Sequence, residues 1–267
     1  MSSILSSGGV ESAEAEAYEL VRAVLGLKRA EVVGADFDAA DVARVLDLAR
    51  RRAEGIPLQY LTGVAPFRHL ELKVGPGVLI PRPETEIVTE RALARLPSGG
   101  VVVDVGTGSG AVALSIAHER QDATVVATEI APEALRWACL NRDHLGLDVE
   151  IVRGDLLDGL PGDLRGAIDV VVSNPPYIGE SERELLAPSV VDHEPHEALF
   201  AGDRGLSVIE GLVDEARAWL APGGWLVMEI APHRSDEVVA LLEDRGYTHV
   251  TIGKDLTRRD RVAEGRR

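Results

Sequence analysis

The tetrapeptide Asn174-Pro175-Pro176-Tyr177 directly follows the apolar run DVVVS at 169–173, and its residue types suit one task, holding a planar nitrogen. The lone pair of an amide or aromatic amine nitrogen is delocalised, so the nitrogen is a poor nucleophile, while its N–H groups are good donors. The side-chain carbonyl of Asn174 and the main-chain carbonyl of Pro175 can each accept one of those N–H bonds, which turns the lone pair toward an electrophile. Pro175 and Pro176 carry no backbone donor and stiffen the loop. Tyr177 offers a face on which a planar amide or base can stack. Asn174, Pro175 and Tyr177 are therefore the expected catalytic residues, and Asn174, Pro175, Pro176 and Tyr177 the expected substrate contacts. Asn-Pro-Pro after a strand is also ordinary turn punctuation, so the reading needs a second motif.

That motif lies upstream in VVVDVGTGSGAVAL, where an apolar run passes through Gly106, Gly108 and Gly110 into a helical pattern. Such a turn lets backbone approach a ligand at a helix N-terminus. Gly106, Thr107, Gly108, Ser109 and Gly110 are the expected cofactor contacts. The pattern also satisfies the dinucleotide fingerprint with Ala111, and Glu129 sits near the spacing of about 20 residues at which an acid grips a ribose, so a nicotinamide cofactor is a rival here. Asp104, Glu129 and Asp155 each close an apolar run, which places them at one edge of the sheet. Glu129 is expected to accept from both ribose hydroxyls and Asp155 from an adenine amino group, with Leu156 against the adenine face and Asn174 also touching the cofactor. Taken with Asn174–Tyr177, the loop favours S-adenosylmethionine. A donor that is already activated needs no strong base, and positioning supplies up to about 7–11 kcal/mol. No Ser-His-Asp set is evident. His193 and His196 have a spacing found in metal sites but lack a third ligand, so no metal is expected.

The elements that must position these residues alternate. Strand-like runs at 101–105, 124–129, 149–152, 169–173 and 224–230 are separated by helical patterns at 111–119, 132–145 and 205–220, the signature of a parallel sheet covered on both faces. After the helix SDEVVALLEDRG, the runs YTHVTIG and RRDRVAEGR are joined by the short segment KDLT. A parallel crossover needs roughly a dozen residues, so these two should pair antiparallel, as in a Rossmann-like class I methyltransferase fold. Upstream, apolar residues recur at helical spacing over 18–27 and 42–48, with Asp38 a candidate N-cap. The expected organisation is a helical docking domain over 1–55, its first ten or so residues disordered, a hairpin-like connector with extended runs LQYLTG and HLELKV over 56–80, and the catalytic domain over 81–267.

The chain has 267 residues, a formal net charge of −16 and a single cysteine, Cys139. One cysteine forms no internal disulfide, and its place in a helical pattern marks it as a packing residue. The acidic balance repels phosphate backbones, and Arg50-Arg51-Arg52 is better read as a helix C-terminus than as a nucleic-acid patch. A protein or small-molecule substrate fits better. No window approaches the length of about 18 apolar residues of a membrane helix and the start lacks a signal-peptide pattern, so no membrane partner and a cytoplasmic location are expected.

IPLQYLTG, LIPRPETE, DVGTGSGAVAL, VVSNPPYI, HEPHEALFAGDRGL and LAPGGWLVMEI occur in this order over nearly the whole chain. In this the sequence resembles the bacterial peptide chain release factor glutamine methyltransferases, the PrmC or HemK family. The resemblance implies methyl transfer from S-adenosylmethionine to the side-chain amide of the glutamine in the Gly-Gly-Gln loop of release factors, with Asn174–Tyr177 holding that glutamine and the helical domain helping to dock the factor. It also implies cofactor positions at 106–110, Glu129, Asp155 or Leu156, and Asn174. Glu129 stands where the family commonly has Asp, and Leu156 where an aromatic also occurs. A sister family that methylates a ribosomal-protein glutamine carries the same tetrapeptide, and nucleic-acid base methyltransferases share NPPY alone.

Overall fold

The computed structural model describes residues 1–27, 29–32, 34 and 36–267. The helices are α1 (Ser2–Ser7), α2 (Ala13–Leu25), α3 (Ala39–Ala53), α4 (Leu58–Thr62), α5 (Thr85–Arg95), α6 (Ala111–Glu119), α7 (Pro132–Leu145), α8 (Pro188–His193), α9 (Ser207–Trp219) and α10 (Ser235–Asp244). The strands are β1 (Val64–Phe67), β2 (Leu70–Lys73), β3 (Val101–Val105), β4 (Thr124–Glu129), β5 (Glu150–Arg153), β6 (Ile168–Ser173), β7 (Leu220–Glu229), β8 (Thr248–Lys254) and β9 (Asp260–Arg266).

Strands β3 to β9 form one seven-stranded sheet in the order β5-β4-β3-β6-β7-β9-β8. The first five run parallel, and β9 pairs antiparallel with both β7 and β8. The short link after β8 leaves that pairing as the only option. Valine-rich strands alternate their side chains between two buried layers. Val102, Val170, Val172 and Val227 pack with α5 and α6, while Val103, Val171, Leu226 and Met228 pack with α9 and α10. This is the expected class I methyltransferase architecture, and the chain order reverses between β3 and β6, where doubly wound sheets open a crevice at their carboxyl edge.

The N-terminal helices share a separate core of Leu5, Val10, Ala13, Ala17, Leu20 and Ala49. Asp38 caps α3 with a reciprocal capping box to Asp41. Two sequence expectations need correction. Residues 2–7 are helical rather than disordered, because Leu5 is fully buried in that core. The run LQYLTG is not extended: residues 58–62 form α4, with Leu58 and Leu61 against the helical core. The antiparallel hairpin of the connector is β1–β2, and its neighbours Val78 and Ile80 pack with Ala134 of α7. Arg52, from the arginine triplet, pairs with Glu16 at 2.5 Å and so holds α3 to α2.

Candidate active site

At the carboxyl edge of β3, β4, β5 and β6 lies a cavity of about 310 Å³, within the size range of small-molecule sites. Its walls include Gly106, Thr107, Gly108, Ser109, Glu129, Asp155, Leu156, Asn174, Pro175 and Pro176. Gly110 stands just behind the wall as the N-cap of α6, at φ 87°. A Cβ there would be strained by the positive φ and would press on Leu114 Cδ1 at 2.7 Å, so the turn favours glycine.

Two of the three edge acids, Asp104 and Glu129, are set by hydrogen bonds from their turns, and Asp155 is exposed at the cavity wall. Asp104 is 1% exposed; its Oδ2 accepts from the Thr107 hydroxyl at 2.6 Å and the Ala113 N–H at 3.1 Å. Burial pushes its carboxyl up to about 7 against the pull of those bonds. Its hydrogen bonds shape the glycine turn from beneath. Glu129 accepts the Gly108 N–H on one oxygen at 2.8 Å and the Ala131 N–H on the other at 2.9 Å. Burial raises its pKa as well, with the backbone donors of Ala131, Gly108 and Ile130 opposing. Each carboxylate oxygen keeps a lone pair for a ligand hydroxyl. Beside Asp155, the Leu156 carbonyl accepts from the Thr128 hydroxyl at 2.7 Å, which fixes Leu156 at φ 50°.

A second cleft adjoins the first and is lined by Leu79, Arg82, Tyr177, Ile178, Leu186 and Val190. Asn174, Pro175 and Pro176 border both spaces. The tetrapeptide is held from several sides. Ile178 exchanges backbone bonds with Leu199 and Ala201, which seats it on the HEALF segment. Glu194, two residues before that segment, accepts the Ile80 N–H at 3.1 Å and a bond from Arg82 Nη2 at 2.5 Å. One buried carboxylate thus gathers LIPRPETE beside NPPYI. The Tyr177 hydroxyl donates to Glu229 Oε1 at 2.9 Å, so the phenol is turned inward and the ring borders the outer cleft only. His193 ends α8, and His196 stacks on Phe200 at 4.6 Å with Nε2 2.9 Å from Glu180. Cys139 is half-buried on α7.

Sequence reasoning missed several wall residues. Phe67 from β1, Ile130 next to Glu129, Glu197 and Val208 at the start of α9 line the inner cavity, and nothing in their local pattern marks them; Phe67, Glu197 and Val208 come from segments distant in the chain from the glycine turn. Thr85 and Glu229 were missed too. Thr85 lies within the LIPRPETE segment, so that motif was the available signal.

The geometry has counterparts in known proteins. The methyltransferase small domain family matches residues 84–193, and the PrmC N-terminal domain family matches residues 1–63. The release factor glutamine methyltransferase of Streptomyces coelicolor is 43% identical over 271 residues, covering 98% of this chain and 94% of its own. The Mycolicibacterium smegmatis protein of the same name is 42% identical, again covering 98% and 94%. The chain belongs to the release factor glutamine methyltransferase family. In fold, this family member is also similar to a methyltransferase from Pyrococcus furiosus (TM-score 0.57, 20% identity, 86% of this chain and 98% of that one). The Thermus thermophilus 16S rRNA N2 G1207 methyltransferase, solved with AdoMet and guanosine, superposes with a TM-score of 0.58 at 22% identity over 76% of this chain and 49% of that one. Among the described residues no helix is long and apolar enough to cross a membrane.

Glu129→Ala should weaken cofactor binding by about 1.5–3 kcal/mol, the range for a charged acceptor lost from a buried hydrogen bond. Calorimetric titration with S-adenosylhomocysteine measures it, with thermal melting to verify the fold. An unchanged dissociation constant would assign the ribose to another residue.

Proposed function

We propose that this protein transfers a methyl group from S-adenosylmethionine to the side-chain amide nitrogen of the glutamine in the Gly-Gly-Gln loop of peptide chain release factors. The observation that carries this reading is the position of Asn174, Pro175 and Pro176 between two spaces, one suited to a nucleoside-bearing donor and the other open to a protein loop. The inner cavity fits such a donor: it offers a glycine turn, a buried carboxylate at Glu129 with lone pairs to spare, and an apolar wall at Leu156. S-adenosylmethionine supplies a methyl group already activated as a sulfonium.

The chain supplies position. Asn174 Oδ1 and the Pro175 carbonyl accept the two N–H bonds of the glutamine amide, which halts rotation of the amide and presents its nitrogen to the inner cavity. The two prolines keep the carbonyls in place. Apolar residues Leu79, Leu186 and Val190 shield the outer cleft from water, and Arg82, tethered by Glu194, forms part of the entrance. The helical domain is assigned to docking the rest of the factor. The net charge of −16 argues against a nucleic-acid substrate.

Mass spectrometry of a purified release factor after incubation with this protein and S-adenosylmethionine tests the reading. The expected result is one added methyl on the peptide bearing Gly-Gly-Gln. Methylation of a ribosomal-protein glutamine in a parallel reaction, with the factor unmodified, would transfer the assignment to that substrate.

A further inference from the structure

Glu229 lies behind the tetrapeptide, and Thr85, which also borders the inner cavity, links it to Asn174. Glu229 ends β7 and is 1% exposed; Thr85 opens α5 and is 4% exposed. The Thr85 hydroxyl donates to Glu229 Oε2 at 2.7 Å, and Asn174 Nδ2 donates to the Thr85 hydroxyl oxygen at 3.0 Å. The other carboxylate oxygen of Glu229 accepts from the Tyr177 hydroxyl at 2.9 Å. Arg261 Nη1 lies 4.0 Å from that oxygen and supplies the counter-charge. One buried carboxylate therefore anchors both ends of Asn174–Tyr177, the first through a hydroxyl and the second directly.

We propose that Glu229 and Thr85 are positioning residues that decide which way round the Asn174 amide sits, and so make the site accept a donor such as the glutamine amide. The inference rests on the proposed role of Asn174. Its physics is the polarity of a hydrogen-bond chain. Burial raises the Glu229 carboxyl above the ordinary carboxylate range, while the Thr85 and Tyr177 hydroxyls and Arg261 pull toward the ionised form; that ionised carboxylate only accepts. Thr85 must spend its single hydrogen on Glu229, which leaves its oxygen able only to accept. Only the NH2 end of Asn174 can satisfy that oxygen, so Oδ1 is left for the substrate. Were the amide reversed, its carbonyl would face the lone pairs of Thr85 and its NH2 would confront the N–H groups of the glutamine.

Three substitutions read out the chain's polarity. Thr85→Val removes the hydroxyl at nearly constant volume, Thr85→Ser restores it, and Glu229→Gln places an NH2 where it can donate to Thr85, so that Thr85 can donate to a reversed Asn174. We expect Thr85→Val and Glu229→Gln to lower kcat by about 100-fold, as for a reacting group misplaced by an ångström, while KM for the release factor holds in both and S-adenosylhomocysteine affinity holds in Glu229→Gln, whose side chain lies outside the inner cavity wall. Thr85→Ser should keep a rate near that of the unaltered protein. A merely structural role would not alter ligand preference, so a release factor with glutamate in place of the loop glutamine serves as a competitive inhibitor. It should bind Glu229→Gln more tightly, relative to the glutamine factor, than it binds the unaltered enzyme. The inference is overturned if Thr85→Val turns over normally while Asn174→Ala is slow, or if Thr85→Ser is as impaired as Thr85→Val, or if the inhibitor's relative affinity stays constant in Glu229→Gln. Near-normal turnover by Asn174→Ala itself would instead remove the underlying reading of the tetrapeptide.

Discussion

Asn174→Ala is expected to slow single-turnover methylation of a release factor by about 100- to 1000-fold, the range for deleting one preorganised hydrogen-bonding group from a reacting centre. Binding of the factor should change far less, since one contact among many is lost. The reason is geometric. The amide nitrogen reacts only while its lone pair faces the inner cavity, and with one acceptor gone the amide rotates about the bond to its side chain. Asn174→Asp separates the acceptor from its orientation. Aspartate keeps an oxygen toward the substrate but turns a second one on Thr85, whose hydrogen is already committed to Glu229. Two carboxylates then compete for one hydroxyl hydrogen, and the repulsion should displace the side chain. We expect Asp to be slower than Asn as well. Rapid-quench methylation with each variant, beside calorimetric affinities for S-adenosylhomocysteine, separates rate from binding. Near-normal turnover in Asn174→Ala would reduce the tetrapeptide to a turn.

The second large effect comes from a residue that touches no ligand. Gly205 has φ 70°, and a Cβ built there would lie 2.3 Å from the Tyr177 carbonyl oxygen and 2.9 Å from the Gly179 nitrogen. Gly205→Ala therefore adds about 1–2 kcal/mol of left-handed strain to a collision with backbone. The carbonyl cannot rotate away as a side chain would, so either the 202–206 turn or the end of NPPY must shift. A displacement of an ångström at the reacting group costs about 100-fold in rate. Cofactor affinity should be retained, because the glycine turn and Glu129 lie on other strands. Gly146→Ala is the control: Gly146 has φ 64° at the end of α7 with nothing near its missing Cβ, so it carries strain without collision. Turnover in Gly205→Ala matching that of Gly146→Ala would show that the contact with Tyr177 is not transmitted to the site.

The sequence by itself determined the fold class and pointed to residues that the structure gathers around one cavity. Valine-rich runs bounded by glycines and separated by amphipathic patterns admit few solutions other than a covered parallel sheet, and the short link between the last two strands dictated their antiparallel pairing. The glycine turn and NPPY were visible because each packs its chemistry into consecutive residues that end a strand. Local pattern failed where a distant partner decides the outcome. Residues 2–7 look like a polar tail until Leu5 finds Leu20 and Ala49, and LQYLTG reads as extended until Leu58 and Leu61 meet the same core. The site shows this most sharply. Glu229 reads as the polar end of a buried strand and Thr85 as an early helix residue, yet the structure joins them across 144 positions and links Thr85 to Asn174 across 89. The composition of a tetrapeptide can announce that an amide is to be held, because acceptors and rigidity are properties of residues. Which end of Asn174 faces the substrate is a property of a hydrogen-bond chain, and only the tertiary structure brings that chain together.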